Sequence, residues 1–227
     1  MKEDTKYRHE IKHEIGYAEL LALRQRLGAV AARDMHAQGG TYRIRSLYFD
    51  NAADEALREK LDGINIREKY RIRFYNGDTG FIRLEKKRKV NGLCQKQSAM
   101  LTAAQVQSIV DGRCGWMAQS KEPLVRELSC AMTVRGLMPR TIVDYVREPF
   151  VFAPGNVRIT LDYDIRTGLS CTDVLNSACV TVPVAGNPVI LEVKWDEFLP
   201  DVMRDVLQSA GCRAGAFSKY AACRVYG

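Results

Sequence analysis

The chain has 227 residues, with 34 Lys and Arg against 27 Asp and Glu, for a formal net charge of +7. Because it contains no low-complexity tract, repeat or linker, we predict a single domain over residues 1–227. No apolar run reaches the roughly 20 residues of a membrane-spanning helix, and the start lacks an apolar signal core. Seven cysteines without a Cys-x-x-Cys pair predict reduced thiols in a cytoplasmic protein rather than a disulfide framework or zinc ribbon.

The first half of the chain predicts alternating strands and helices. Residues 6–15 alternate with period two and predict a strand, whereas residues 17–32 carry leucines at helical spacing. A turn-rich stretch at 76–80 predicts a hairpin. Further strands are predicted at 42–50, 66–76, 80–90 and 93–98, and a second helix at 52–62.

The second half begins with helices and returns to strands. Thr102 and Gln105 form a capping-box pattern that opens a helix ending near Gly112. The remaining predictions are a helix at 122–135 ending at Gly136, strands at 139–152, 157–165, 179–185 and 189–195, and a helix at 200–210 ending at Gly211. Seven or eight mostly antiparallel strands with connecting helices predict an α+β fold, for which a closed or nearly closed barrel with outer helices is the natural solution.

The basic charge is concentrated between Arg67 and Lys96. This segment holds ten Lys or Arg and three Asp or Glu, a surplus of seven that equals the surplus of the whole chain. Cations fall on alternate residues around Arg71 and Arg73, with apolar residues between many of them. This period is typical of a strand with one charged face, and such a face predicts a polyanionic partner.

Alternation alone leaves open which face of the strands points inward. Antiparallel strands usually place apolar residues in the core and charged residues in solvent, so alternation favours a solvated charged face. Against this, pairs of Arg, Lys, Glu or Asp recur on separate strands, at Glu10/Lys12, Arg43/Arg45, Arg71/Arg73, Glu85/Lys87, Arg158/Asp162 and Glu192/Lys194. Inside a barrel these cations would repel unless an anion or inward carboxylates balanced them, and the glutamates could also hold a hard divalent metal.

His9 and His13 match the H-E-x-x-H pattern of zinc peptidases. That chemistry needs a helix, because spacing of four residues must bring both imidazoles to one metal. In a strand the two residues would lie about 13 Å apart. The period of this segment therefore predicts two partly buried strand histidines instead of a zinc site.

Nine short motifs follow one another along the chain. They are Arg8-x-Glu10-x-Lys12, Ser46-x-Tyr48-Phe49-Asp50, Lys60-Leu61, Lys69-Tyr70-Arg71-Ile72-Arg73, Leu84-Glu85-x-Lys87, Tyr145-x-Arg147, Val157-Arg158-Ile159-x-Leu161-Asp162, Leu191-Glu192-Val193-Lys194 and Phe217-Ser218-Lys219-Tyr220. In this order, from about residue 7 to 221, they resemble the polyphosphate-polymerase domain of the vacuolar transporter chaperone (VTC) family, a branch of the triphosphate tunnel metalloenzymes. The resemblance implies an eight-stranded antiparallel tunnel barrel with helices packed outside and Lys, Arg and Glu lining the inside.

The resemblance also assigns roles to individual residues. It implies that Lys12, Arg71, Arg73, Lys87, Arg147, Arg158 and Lys219 act on the phosphates during catalysis, and that Lys60, Lys96, Tyr145, Lys194 and Ser218 bind substrate. It implies that Glu192 holds Mn²⁺ or Mg²⁺, with Glu85 and Glu10 as supporting carboxylates. Arg8 stands where the cyclase and triphosphatase branches carry a glutamate, which favours the VTC branch.

The implied function is transfer of the ATP γ-phosphate to inorganic polyphosphate. The sequence has no P-loop motif, so ATP use would not be of that type. Hydrolysis of triphosphates, non-catalytic polyphosphate binding and an unrelated barrel with a solvated charged surface are the alternatives. Nucleic acid is disfavoured, because aromatic residues are not interleaved with the cations at stacking positions. The sequence does not determine the product length, the oligomeric state or whether a membrane protein is a partner.

Overall fold

A computed structural model of the protein describes residues 9–90, 93–208, 215 and 217–225. The strands in this part of the chain are β1 (His9–Ile15), β2 (Ala32–Arg33), β3 (Tyr42–Asp50), β4 (Ile66–Tyr75), β5 (Ile82–Val90), β6 (Leu93–Leu101), β7 (Met138–Phe152), β8 (Val157–Thr167), β9 (Val182–Pro183) and β10 (Val189–Trp195). The helices are α1 (Tyr17–Val30), α2 (Glu55–Leu61), α3 (Ala103–Val110), α4 (Pro123–Arg135), α5 (Asp201–Gln208) and α6 (Lys219–Val225).

Eight of the strands form one hydrogen-bonded path. Their order is β1-β10-β8-β7-β3-β4-β5-β6, with β2 beside β7 and β9 beside β8. The pairs β1–β10, β10–β8, β3–β4, β4–β5 and β5–β6 are all antiparallel. The predicted fold class, α+β with an eight-stranded antiparallel arrangement, is confirmed.

The chain divides into two compact units, each with its own apolar core. The first comprises Met1–Arg43, Tyr145–Ile165 and Ala185–Phe217, and the second comprises Ile44–Asp144, Arg166–Val184 and Ser218–Gly227, through their described residues. In the first unit the leucines of α1 pack against the apolar residues of β8 and β10. In the second, α3 and α4 pack against the apolar residues of β4, β5 and β6. The single domain predicted over 1–227 stays a prediction.

Most predicted elements lie where the sequence placed them. The predicted strand 42–50 coincides with β3. The capping box is formed, since Gln105 donates its backbone N–H to Thr102 Oγ1 at 3.2 Å and Thr102 N donates to Gln105 Oε1 at 2.9 Å. Helix α4 ends at Gly136, whose φ of 66° is the left-handed conformation that favours glycine.

Other predicted elements require correction. The strand predicted at 179–185 is limited to β9, which pairs with β8, and Pro183 has no N–H with which to extend the pairing. Helix α6 was not predicted, and β6 runs to Leu101 instead of residue 98. Arg8 and Gly211 lie outside the described residues.

The H-E-x-x-H segment lies in a strand, as predicted. β1 spans His9–Ile15, His9 stacks on Trp195 with ring centroids 5.2 Å apart, and His13 is half-buried while His9 is exposed. The six cysteines within the described ranges are thiols, and the sulfur atoms of Cys171 and Cys179 lie 2.8 Å apart. None of the helices described here is long and apolar enough to cross a membrane.

Gly155 forms the turn between β7 and β8 with a φ of 71°, and an added Cβ would lie 2.4 Å from the backbone oxygen of Phe198. We therefore expect Gly155→Ala to lower the free energy of unfolding by about 1–3 kcal/mol, measured by urea denaturation. Gly112→Ala is the matched control, because φ is 76° there and an added Cβ meets no atom within 4 Å. Equal losses in the two variants would contradict a steric role for the Phe198 oxygen.

Candidate functional site

Four charged residues of β4, β5, β8 and β10 are withdrawn from solvent. Arg73 is 4% exposed, Glu85 2%, Asp162 0% and Glu192 5%. The apolar residues that alternate with them belong to the cores of the two units. Both faces of these strands are therefore covered at these four positions, and there the prediction of a solvated charged face, which alternation alone favoured, is wrong.

Three cations surround one buried carboxylate in the second unit. Arg71 lies directly opposite Glu85 in the β4–β5 register and donates from Nε to Glu85 Oε2 at 2.7 Å. Lys96 Nζ lies 2.5 Å from Glu85 Oε1, and Arg73 Nη1 lies 4.0 Å from Oε2. We call Arg71, Arg73, Glu85 and Lys96 the basic cluster. Among these four residues the cations outnumber the carboxylate three to one, which suits the cluster to bind an anion.

The cations of the basic cluster lower the pKa of two nearby acidic groups, Glu85 and Tyr48. Burial would raise the pKa of Glu85, but Arg71, Arg73 and Lys96 outweigh burial and hold it well below its ordinary value. Tyr48 accepts a hydrogen bond from Arg71 Nη1 at 2.9 Å. Burial would also raise the pKa of Tyr48, but Arg71 and Arg73 lower it to about 8. The positive potential of the cluster therefore extends to the Tyr48 hydroxyl.

Lys69 is a cation that the sequence analysis did not select. It lies opposite Lys87 in the β4–β5 register, and its Nζ lies 5.1 Å from the centroid of the Tyr220 ring. Burial lowers the pKa of Lys69 to about 8, and the charges of Lys60 and Arg67 contribute. Its position in the same alternation as Arg71 and Arg73 was the signal that could have identified it.

Two glutamates and two lysines form a balanced cluster in the first unit. The β1–β10 register sets Glu10 opposite Lys194 and Lys12 opposite Glu192. Lys12 Nζ lies 3.0 Å from Glu10 and 3.4 Å from Glu192, and Lys194 lies 3.5 Å from Glu10 and also contacts Glu192. We call these four residues the carboxylate–lysine cluster. Burial would lower the pKa of Lys12, but Glu192 and Glu10 raise it above its ordinary value.

The carboxylate–lysine cluster fits a divalent metal through its oxygen donors. Mg²⁺ typically takes one or two protein carboxylates and completes its shell with substrate phosphates and water. Glu10 and Glu192 supply two carboxylates bridged by shared lysines. Across the described ranges, no group of three or more His, Cys, Asp and Glu could hold a metal on protein ligands alone. Glu85, predicted as a supporting ligand, lies in the other unit within the basic cluster.

Two predicted arginines of the first unit already have carboxylate partners. Arg147 donates to both oxygens of the fully buried Asp162, at 2.6 and 2.8 Å, and its guanidinium carbon lies 5.5 Å from the Tyr145 ring centroid. Burial would lower the pKa of Arg147, but Asp162 raises it. Arg158 Nη2 lies 3.0 Å from Asp34 Oδ2. A phosphate bound by Arg147 or Arg158 would share that arginine with the carboxylate that already pairs with it.

The structure distributes the predicted site residues over both units. Glu10, Lys12, Tyr145, Arg147, Arg158, Glu192 and Lys194 lie in the first unit, and Lys60, Arg71, Arg73, Glu85, Lys87, Lys96, Ser218 and Lys219 lie in the second. Ser218 has a local structural role, since its Oγ accepts from Ala221 N at 3.3 Å in the first turn of α6. The role of each of these residues toward a ligand stays a prediction.

Comparison with known proteins identifies the family. A family model described as the VTC domain matches residues 7–226. The PH1819 protein from Pyrococcus horikoshii OT3 is structurally similar, with 13% identity, a TM-score of 0.50, and coverage of 95% of this chain and 97% of that chain. A Bacillus halodurans protein provisionally assigned as an adenylate cyclase has 12% identity, a TM-score of 0.53, and coverage of 90% and 87%.

At such identities these structures establish similarity of fold alone. A search of curated protein sequences gave no significant match. The family model, in contrast, spans nearly the whole chain, and its range includes all nine motifs in full. The protein is therefore a member of the VTC domain family.

Proposed function

We propose that this protein is a polyphosphate polymerase, which transfers the γ-phosphate of ATP to a growing chain of inorganic polyphosphate. The observation that carries the proposal is the basic cluster, in which Arg71, Arg73 and Lys96 surround the buried carboxylate of Glu85. Membership of the VTC family supports it, because this family belongs to the triphosphate tunnel enzymes, which act on triphosphates and generally use divalent metal ions.

The basic cluster has the chemistry that phosphoryl transfer requires. This reaction depends mainly on positioning and on neutralising the equatorial phosphate oxygens, and it needs no covalent nucleophile on the protein. Glu85 and Tyr48 hold Arg71 from two sides before any substrate binds. A guanidinium fixed in this way can offer two parallel hydrogen bonds to phosphate without losing further side-chain freedom.

The carboxylate–lysine cluster supplies carboxylates for the divalent metal of the proposed reaction. A bound Mn²⁺ or Mg²⁺ would neutralise charge on the terminal phosphates. Glu192 and Glu10 would hold that ion with their carboxylates. Lys12 and Lys194, which contact these carboxylates in the structure, carry ammonium groups that can turn to phosphate oxygens instead.

In the proposed reaction, a terminal oxygen of the polyphosphate chain attacks the γ-phosphorus of ATP. The bond from that phosphorus to the β–γ bridging oxygen breaks, and ADP leaves with its electron pair. The partners are thus ATP and inorganic polyphosphate, and nucleic acid is not among them. The other residues proposed to hold phosphates are Lys60, Lys87, Arg147, Arg158 and Lys219, with Lys96, Tyr145, Lys194 and Ser218 along the path of the chain.

Product analysis tests the proposal directly. We expect the purified protein, incubated with ATP and Mn²⁺ or Mg²⁺, to release one ADP for each phosphate residue recovered in acid-stable chains on a gel. Strong binding of tripolyphosphate with indifference to DNA is expected in the same preparation.

Different products would overturn the polymerase proposal in different ways. Free phosphate without chains would identify a triphosphate hydrolase, in which water replaces the polyphosphate oxygen as acceptor. Tripolyphosphate binding without any release of ADP would identify a binding module that has no catalytic activity.

A further inference from the structure

Asp50, at the end of β3, is a buried carboxylate with four hydrogen-bond donors around it. It is 1% exposed. Its Oδ1 accepts from the backbone N–H groups of Asn51 and Ala56, both at 2.9 Å. Its Oδ2 accepts from Leu57 N at 3.1 Å and from the Tyr220 hydroxyl at 2.6 Å. A buried carboxylate with this many donors is held in one orientation.

Two of these donors belong to the first turn of α2. The residue before this helix, Asp54, has a φ of 52° and makes no side-chain capping bond. Asp50 takes over the capping task from four positions earlier, because it accepts from the second and third residues of the helix. The placement of α2, which carries Lys60, therefore depends on the Asp50 side chain.

The fourth donor comes from α6. Tyr220 is 2% exposed, and burial together with Asp50 raises the pKa of its phenol, so that it remains a donor. Its ring stacks on Tyr48 at 5.2 Å and lies under the ammonium group of Lys69 at 5.1 Å. Lys219, the first residue of α6, immediately precedes it.

A second contact joins the same two helices. Arg224 of α6 donates to Asp54 Oδ1 at 2.7 Å, at the start of α2. Because α6 is only seven residues long, a helix of this size is marginal by itself and needs such tertiary contacts. Asp50 and Tyr220 are the buried part of this junction.

We propose that Asp50 is a positioning residue, which acts through Tyr220 on Lys219 and through the start of α2 on Lys60, and thereby sets two lysines for phosphate binding. Lys69, on the face of the Tyr220 ring, is held by the same pair. The inference rests on the proposed function only in taking these lysines as ligands of phosphate. Asp50 itself does not contact the substrate.

A double-mutant cycle with tripolyphosphate tests the inference. The full chain is titrated with tripolyphosphate by calorimetry as the unmodified protein, Tyr220→Phe, Lys219→Ala and the double variant. Tyr220→Phe keeps the ring that contacts Tyr48 and Lys69 and removes only the hydroxyl. We expect it to weaken binding about tenfold, and the double variant to bind no more weakly than Lys219→Ala alone.

The arrangement of donors provides internal controls. Tyr220→Phe leaves the cap of α2 in place, so its effect should multiply with that of Lys60→Ala. Asp50→Asn should instead be coupled to both lysines. Tyr163→Phe is the matched control outside the junction, because it removes a phenol that donates to Glu148 at 3.0 Å in the other unit. It should change the affinity by less than about twofold.

The outcomes separate this inference from the polymerase proposal. Multiplying losses for Tyr220→Phe and Lys219→Ala would overturn the positioning role alone. A protein that binds tripolyphosphate with coupled losses but makes no polymer would support the positioning role and overturn the polymerase. Absence of tripolyphosphate binding by the unmodified chain would overturn both.

Discussion

Glu192→Gln is expected to reduce metal-dependent polymer synthesis by about 100-fold or more while polyphosphate binding is retained. Glu192 is 5% exposed and contacts both Lys12 and Lys194. The neutral amide has nearly the shape of the carboxylate but lacks the charge that a hard divalent metal prefers. The chemical step should therefore be lost even though the variant folds.

Polyphosphate binding by Glu192→Gln should not fall with the rate of synthesis. Removing one negative charge leaves Lys12 and Lys194 with Glu10 as their remaining partner in the carboxylate–lysine cluster. Their net charge toward an anion rises, so polyphosphate should bind with unchanged or higher affinity. Rates of ADP release at saturating ATP and calorimetric titration with polyphosphate measure the two effects separately.

Glu148→Gln is the matched control for this experiment. Glu148 is also a buried glutamate of the first unit, 4% exposed, and it pairs with Arg24 and accepts from Tyr163. Its replacement should lower stability without a selective loss of turnover. Polymer synthesis by Glu192→Gln at the rate of the unmodified protein would refute the metal assignment.

The sequence was sufficient to predict the elements that carry the site, because these strands have strong local signals. β3, β4 and β5 contain stretches of alternating charged and apolar residues, the β4–β5 turn is rich in turn residues, and α4 ends at a glycine that adopts a positive φ. Helix α6 has only seven residues and no polar stripe of its own, so its packing, rather than its local pattern, defines it.

The contacts within the site depend on register and on distant pairing, which local patterns do not encode. Arg71 and Glu85 lie opposite each other because of the β4–β5 register. Asp50 and Tyr220 form a hydrogen bond although they are 170 residues apart in the sequence. The family resemblance implied a phosphate-binding role for Arg147 but could not show that Asp162 holds it in a two-pronged ion pair. Which face is covered is likewise a property of the packed sheet.

Glu85→Gln is expected to lower the free energy of unfolding by about 3 kcal/mol in the absence of ligand, because it removes the buried carboxylate that pairs with Arg71, Arg73 and Lys96. Glu85 is 2% exposed, and Arg73 beside it is 4% exposed. The pKa of Glu85 is lowered in the folded protein, so its stabilising effect is complete above the ordinary pKa of 4.5 and is lost as the pH falls below that value. The difference between the two proteins in urea denaturation should therefore be large at pH 7 and shrink in acid.

Tripolyphosphate should restore part of the stability that Glu85→Gln removes. In the unmodified protein an anion must compete with Glu85 for Arg71, Arg73 and Lys96, whereas in the variant these cations have lost that partner. A ligand at 100 times its dissociation constant stabilises a protein by about 2.7 kcal/mol, so tighter binding by the variant gives a larger gain at equal concentration. Tripolyphosphate should raise the melting temperature of Glu85→Gln more than that of the unmodified protein.

Glu68→Gln distinguishes this effect from general destabilisation. Glu68 also lies in the second unit and pairs with Lys86 at 2.8 Å and Arg135 at 2.5 Å, outside the basic cluster. Its loss should lower the melting temperature without enlarging the response to tripolyphosphate. If Glu85→Gln responded to tripolyphosphate no more than Glu68→Gln does, Glu85 would be an ordinary ion-pair partner, and the basic cluster would not be where phosphate binds.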